Sequence, residues 1–285
     1  GLSWFDSINH ALTTMPSGGY STYDAGIMYF QSPTVEWIII FFMVATGVNF
    51  TLYHFVWLRE WFNVVNNYEL RIYFAVLIGA WAVMMANLII AADVSTSDSF
   101  RLSAFQAASI GTSTGYATAD FASWPILSKV ILLLLMIVGA CAGSTSGGLK
   151  ILRLRIAFLL ARREISRISY PRKVHLVRME GEVVDDAKLW VIVGVLSWWA
   201  VIAMSGMLLL SFIEYNLDFE SIIGIVVSSL GNTGPTIGAF GPTQTWSSLH
   251  WSSMIITSLM IYLVNVFQLL KNNLEIRTSS NLIKE

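Results

Sequence analysis

Charged residues are scarce in this chain. They make up 12% of it, about half the share found in ordinary soluble domains, which excludes a well-solvated globular surface over most of its length. Cysteine is nearly absent: Cys141 stands alone, so no internal disulfide framework is possible. Residues 1–15 lack the basic start and apolar core of a secretory leader. The chain opens in mid-pattern and without Met, which leads us to expect that the N-terminal part of a longer protein precedes it. Apolar residues are what it has in abundance, at 55% with a mean hydropathy of +0.64. Eleven Trp and ten Tyr accompany them, residue types that suit the boundary between lipid and water.

Five apolar segments are long enough to span a membrane: 35–58, 70–92, 125–160, 189–212 and 251–270. Shorter, half-apolar pieces at 2–15, 99–110 and 219–230 are too short to cross and have the length of re-entrant segments. One span is interrupted. Within 125–160 lies Gly139-Ala140-Cys141-Ala142-Gly143-Ser144-Thr145-Ser146-Gly147-Gly148. Each mid-helix glycine costs about 1 kcal/mol relative to alanine, so four in ten residues predict a break. Lipid cannot satisfy the freed N–H and C=O groups, so such a break is buried in protein or lines a watery cavity. Close helix packing is the competing reading, but packing motifs space their glycines rather than string them together.

Each short piece ends in a polar string with a glycine: Ser17-Gly18-Gly19-Tyr20-Ser21, Ser113-Thr114-Gly115-Tyr116-Ala117 and Asn232-Thr233-Gly234-Pro235-Thr236. Aligning Gly19, Gly115 and Gly234 brings the preceding short helices into register. The chain therefore reads as a repeat of span, short helix, string, span. Fifteen of the 17 Lys and Arg residues fall on one side of this arrangement. Lys150, Arg153, Arg155, Arg162, Arg163, Arg167, Arg172, Lys173 and Arg178 crowd the stretch after the broken span, and Arg101 and Lys129 are the exceptions. The positive-inside rule makes that side cytoplasmic, so the strings enter from the outer face. The basic stretch reads first as a topology-setting loop and second as a docking surface for a cytosolic partner or anionic lipid.

A glycine lets the backbone turn without a Cβ clash, and rings of carbonyl oxygens can replace the hydration shell of a cation. A short helix ending just before each string turns its negative dipole end towards the axis. The strings hold no Asp or Glu, against a calcium or magnesium site, and no Lys or Arg, against an anion pore. An intramembrane enzyme is the third class weighed. Ser144 or Ser146 would need a basic partner, and no local Ser–His pairing is legible. Asn49, His54 and Asn87 lie within spans, where a helix–helix hydrogen bond competes with a role along a pathway.

These residues resemble the Trk/Ktr/HKT superfamily of potassium-translocating membrane subunits, most closely the bacterial Trk type. The resemblance is carried by Phe5-Asp6-Ser7 with 17–22 and Asp24; by 113–116 with Asp120-Phe121 and Trp124-Pro125; by 139–150; and by 231–235. It implies an all-α integral membrane protein of tandem helix–pore-loop–helix repeats around a pseudo-four-fold pore. Three repeats would be present: the second in part at 1–58, the third at 59–160 with its inner helix broken at 139–148, and the fourth at 188–270. A basic cytoplasmic loop would occupy 161–187 and a cytoplasmic tail 271–285.

The resemblance further implies that Ser17, Gly18, Gly19, Tyr20, Ser113, Thr114, Gly115, Tyr116, Asn232, Thr233, Gly234 and Pro235 form a K+ filter. Gly139, Gly143, Ser144, Thr145, Ser146, Gly147, Gly148 and Lys150 would gate it. Glycine at all three central positions implies K+ rather than Na+ selectivity. The implied partners are membrane lipid, a second copy in a homodimer and a cytosolic nucleotide-binding regulatory ring; neither nucleic acid nor an organic cofactor is expected. The implied location is the bacterial cytoplasmic membrane. Two departures stand out. The first repeat would precede Gly1, so a non-conducting fragment or a regulatory subunit completed by another chain is the alternative. Tyr262, Leu263, Val264 and Asn265 replace the Gly-Arg-Leu-Glu string of bacterial relatives, which removes a pore-facing arginine.

Overall fold

The protein, represented by a computed structural model, is described over residues 2–170, 176–179 and 182–282. Gly1, Arg172, Lys173, His175 and Lys284 lie outside the described residues, and the basic-loop and tail assignments are followed only as far as that range allows.

The fold is that of an all-α integral membrane protein. Its helices are α1 Trp4–Thr14, α2 Pro33–Thr46, α3 Phe50–Trp57, α4 Trp61–Val65, α5 Tyr68–Ala91, α6 Thr96–Gly111, α7 Ile126–Val138, α8 Ile151–Ser169, α9 Asp186–Ile213, α10 Phe219–Gly231 and α11 Trp251–Leu282. By length and composition two helical stretches can cross a membrane alone, Tyr68–Ala91 and Leu189–Ile213. The bent pair α2 and α3 passes the same test when taken together. The segment 35–58 is not one rod: α2 and α3 meet at 93° across Gly47–Asn49. The segment 125–160 divides into the 13-residue α7 and the start of α8, as the glycine run predicts. The segment 251–270 opens the single helix α11. Within the segment 161–187, α8 carries Arg162, Arg163 and Arg167 as far as Ser169. Two short strands, Arg178–Met179 and Glu182–Val183, then pair antiparallel.

The short helices α1, α6 and α10 start alike. Ser3, Ser95 and Asp218 each cap with a side-chain oxygen that accepts the N–H three residues on, at 3.1, 3.2 and 3.3 Å. Such caps satisfy amides that a helix start leaves unpaired. α6 packs against α2, α5 and α7, and α10 against α7, α9 and α11. Every residue from Ser103 to Gly111 is buried. A helix buried all round is a core element rather than a surface one. Its neighbours bring Met84, Leu88, Leu132, Leu135 and Met136 into one apolar cluster with Ile110 and Phe121. Among the polar residues in spans, Asn87 joins helices: its Oδ1 accepts from Ser128 N at 3.2 Å and Ser128 Oγ at 2.7 Å.

Candidate ion pathway and gate

The three strings leave their helices along one backbone path. Ser17, Ser113 and Asn232 all turn left-handed, with φ of 57°, 57° and 54°. Two residues on, Gly19, Gly115 and Gly234 have φ of 67°, 83° and 89°, a region glycine enters without penalty. The hydrogen bonds repeat as well. Gly18, Thr114 and Thr233 each donate their N–H to the carbonyl five residues back, on Thr13, Ser109 and Ser228. The hydroxyls of those same three residues then reach forward to the string carbonyls of Tyr20 (2.9 Å), Tyr116 (2.6 Å) and Gly234 (3.0 Å). Each string is thus strapped to the helix it leaves, with a Thr or Ser as the strap.

The strings also meet one another in order. A Cβ on Gly19 would run into the Thr114 carbonyl, and one on Gly115 into the Thr233 carbonyl. Each central glycine therefore packs on the backbone of the next string. The Tyr116 hydroxyl reaches the other way, to Thr13 Oγ1 at 2.5 Å and the Tyr20 carbonyl at 3.2 Å. At the two ends of the series these contacts lack a counterpart among the described residues. A Cβ on Gly234 would meet nothing within 4 Å, and Tyr20 is 77% exposed where Tyr116 is 2% exposed. Ser113, Thr114 and Thr233 are buried, Ser17 and Pro235 half-buried, and Gly18 and Asn232 exposed.

The break at 139–148 lies against all three strings. Thr145 Oγ1 is 2.8 Å from Ser17 Oγ, and Ser146 Oγ is 3.3 Å from Ser113 Oγ. Gly147 packs so closely on the Gly231 carbonyl that a Cβ would collide with it. The loop is cinched at its neck: Leu149 N–H donates to the Ile137 carbonyl (3.0 Å) and Lys150 N–H to the Val138 carbonyl (2.9 Å). Ile151 N–H donates to Ala140 O at 3.2 Å. Gly139, Gly143 and Gly148 have φ of 67°, 76° and 75°, and Lys150 shares the left-handed region at 69°. Inside the loop, Lys150 Nζ donates to the Ser144 carbonyl at 3.1 Å, Ser144 Oγ to the Cys141 carbonyl at 2.6 Å, and Ala140 N–H to Ser146 Oγ at 3.2 Å. Every residue assigned to filter or gate thus falls in one contiguous region.

Three features were not legible in the sequence. The loop is tied outward to the α2–α3 break, where Cys141 N–H donates to the Gly47 carbonyl at 3.1 Å and Phe50 N–H to the Gly143 carbonyl at 3.2 Å. It is tied to α5, where Ala142 N–H donates to Glu69 Oε1 at 2.6 Å. At the end of the first string the structure does hold a Ser–His pair, contrary to expectation: His10 Nε2 lies 3.0 Å from Ser21 Oγ, and its Nδ1 lies 2.7 Å from the Asp6 carbonyl. His10 is buried and its ring packs edge-on to Phe30 at 5.2 Å, so it fastens the end of the first string to α1.

Comparison with known proteins agrees with this geometry. The profile of the TrkH family, described as cation transport protein, matches residues 2–262. The chain belongs to this family. It is 30% identical over 284 residues to the Trk system potassium uptake protein TrkH of Escherichia coli K12, covering 95% of this chain and 56% of that protein. It is 32% identical over 240 residues to the Trk system potassium uptake protein TrkG of the same strain, covering 84% of this chain and 49% of that one. The crystal structure of the potassium transporter TrkH from Vibrio parahaemolyticus superposes with a TM-score of 0.84 at 28% identity, over 94% of this chain and 57% of that one. The chain therefore spans about half the length of the relatives it matches. TrkH-family proteins are transporters, not enzymes, and the His10–Ser21 pair is read accordingly as structural.

Proposed function

We propose that this chain supplies three of four strings that line a K+ pathway through a membrane. The observation that carries the reading is the repeated strap and turn of the three strings, stacked so that each central glycine lies on the next string's carbonyl. Backbone oxygens held in such an order are the means by which a protein replaces the water shell of a monovalent cation. The ends of α1, α6 and α10 add the negative ends of three helix dipoles. Gly234 and Tyr20 present the two faces a fourth string would touch, and that string comes from outside the described residues. The loop 139–148 lies across the foot of the strings as the gate, its Ser, Thr and Gly groups offering polar contacts without bulk.

The same reading sets the basic residues from Lys150 to Arg178 on the cytoplasmic side of the bacterial inner membrane. There they form a docking surface for a cytosolic nucleotide-binding ring, while the transporting unit is a homodimer. The second reading, a subunit that does not conduct until another chain completes the ring, draws on the same open faces at Gly234 and Tyr20.

The deciding experiment is K+ and Rb+ uptake by cells lacking their own K+ transporters and expressing the full open reading frame that contains this chain, beside its Gly115→Asp variant. Uptake that disappears in the variant at equal membrane abundance is the expected result. No uptake by the intact protein refutes the autonomous pathway. Stabilisation by K+ at 100-fold over its dissociation constant, worth about 2.7 kcal/mol by mass action, separates an ion-binding subunit from one that binds no ion.

A further inference from the structure

Glu69 is a carboxylate placed where carboxylates are costly. It lies in the first turn of α5 and is 9% exposed, and burying such a group is strongly unfavourable unless hydrogen bonds compensate. One of those bonds goes to the gate: the Ala142 N–H points at Glu69 Oε1 from 2.6 Å, the short distance expected of a charge-assisted bond. The residues on either side of Ala142 are held by a different element. Cys141 N–H bonds to Gly47 O, and Gly143 O accepts from Phe50 N–H. Asn49 caps α3 by accepting from Thr51 N at 2.9 Å, and its side chain fills the space over Gly143, where a Cβ would come within 2.8 Å of its Oδ1. The break itself is braced by α5: Tyr73 donates its hydroxyl to the Val44 carbonyl at 2.9 Å and occupies the place of any Cβ on Gly47. Residues 141–143 are thus gripped between the α2–α3 break and the start of α5.

We propose that Glu69 is a positioning residue for ion flux, which with the α2–α3 break clamps residues 141–143 and so holds the loop 139–148 across the pathway. The proposal rests on the reading of that loop as the gate. Its content is geometric: the Ala142 N–H needs an acceptor at the reach of a Glu side chain. Gln presents a carbonyl oxygen at the same reach without charge. Asp keeps the charge but falls short by one methylene. If Glu69 acted instead by drawing cations with its charge, Asp would serve and Gln would not.

The test uses the full-length protein in lipid nanodiscs and in K+-transport-deficient cells. It measures amide hydrogen exchange of the peptide covering 139–148 and Rb+ uptake for wild type, Glu69→Gln, Glu69→Asp and Glu69→Ala. Loss of a hydrogen bond to a charged group should speed exchange about tenfold or more in Glu69→Ala and Glu69→Asp, with uptake raised in both. Glu69→Gln should be perturbed less than Glu69→Asp, by about three- to fivefold relative to wild type, since a neutral acceptor keeps about half the strength of a charge-assisted bond. Unchanged loop exchange in Glu69→Ala overturns the clamp and leaves the gate reading intact. Faster exchange with unchanged uptake overturns the gate reading, and the proposal with it. Wild-type behaviour of Glu69→Asp beside a defective Glu69→Gln overturns the proposal in favour of a charge effect. Should Glu69→Ala fail to reach the membrane, the Gln and Asp pair still decides.

Discussion

Gly115→Ala tests the stacked strings at their centre. Gly115 has φ of 83°, and an L side chain there costs about 1–2 kcal/mol. Its Cβ would also land on the Thr233 carbonyl and 3.1 Å from Pro235 Cδ. Both are backbone or ring atoms that no rotamer change removes, so the third string must shift. Forcing a methyl into a packed site adds about 1–3 kcal/mol. The total, about 2–5 kcal/mol, corresponds to roughly a thirtyfold to several-thousandfold loss of the stacked geometry of the strings. Gly234→Ala makes the contrast. Its φ of 89° carries the same backbone term, but its Cβ meets nothing within 4 Å among the described residues. With that term alone the loss is about five- to thirtyfold. The assay is Rb+ uptake by the full-length protein, normalised to membrane abundance, with thermal stability measured in parallel. Uptake within threefold of wild type in Gly115→Ala would refute the stacking argument. A Gly234→Ala defect as deep as that of Gly115→Ala would reveal a fourth string seated on Gly234.

Other outcomes follow from the straps and caps. Tyr116→Phe removes the hydroxyl that reaches Thr13 and Tyr20 while keeping the buried ring. It should lower stability by about 0.5–1.5 kcal/mol, and a double-mutant cycle with Thr13→Val should show strong coupling; additive effects would break the link between the first two strings. At the start of α6, the Ser95 hydroxyl and then Arg101 hold the Asp98 carboxyl below its ordinary value of 3.8. A depressed carboxyl contributes stability that is complete above that ordinary value and is lost as pH falls through its lower, folded-state value. Asp98→Asn should therefore flatten the loss of thermal stability below pH 3.8, and parallel curves for variant and wild type would contradict the assignment.

The glycine run and the three strings were legible because their signals are local. Four glycines inside ten residues cannot continue a helix, and a glycine at a common offset behind three short helices marks a repeat. The bend between α2 and α3 was not legible. Gly47 is a single glycine in an apolar segment, and one glycine is tolerated in many helices. The cap signal of Asn49 was present, but what turns the chain is contact with a loop almost a hundred residues away. Glu69 was missed for the same reason: its partner Ala142 is 73 residues distant. Tyr20 and Tyr116 look equivalent in sequence and differ in burial, because a neighbouring string covers one and not the other. Lys and Arg density bears on topology and not on secondary structure, so the helical form of the Arg162–Arg167 stretch was not legible. Basic residues are good helix formers, and their charge says nothing against α8.

The cinched neck of the 139–148 loop has a mechanical consequence. The last carbonyls of α7 are met by the N–H groups of Leu149 and Lys150 just ahead of α8, so the two helices are spliced and residues 139–148 hang from the splice as an Ω-shaped excursion. Bringing the ends of a loop together is the entropic part of making one, and here the splice has already done it. Rearranging the excursion exchanges the bonds that it makes to Ser17, Gly47, Phe50, Glu69, Ser113 and Ile151, while the two splice bonds are not among them. A loop suspended in this way can exchange those partners without parting α7 from α8.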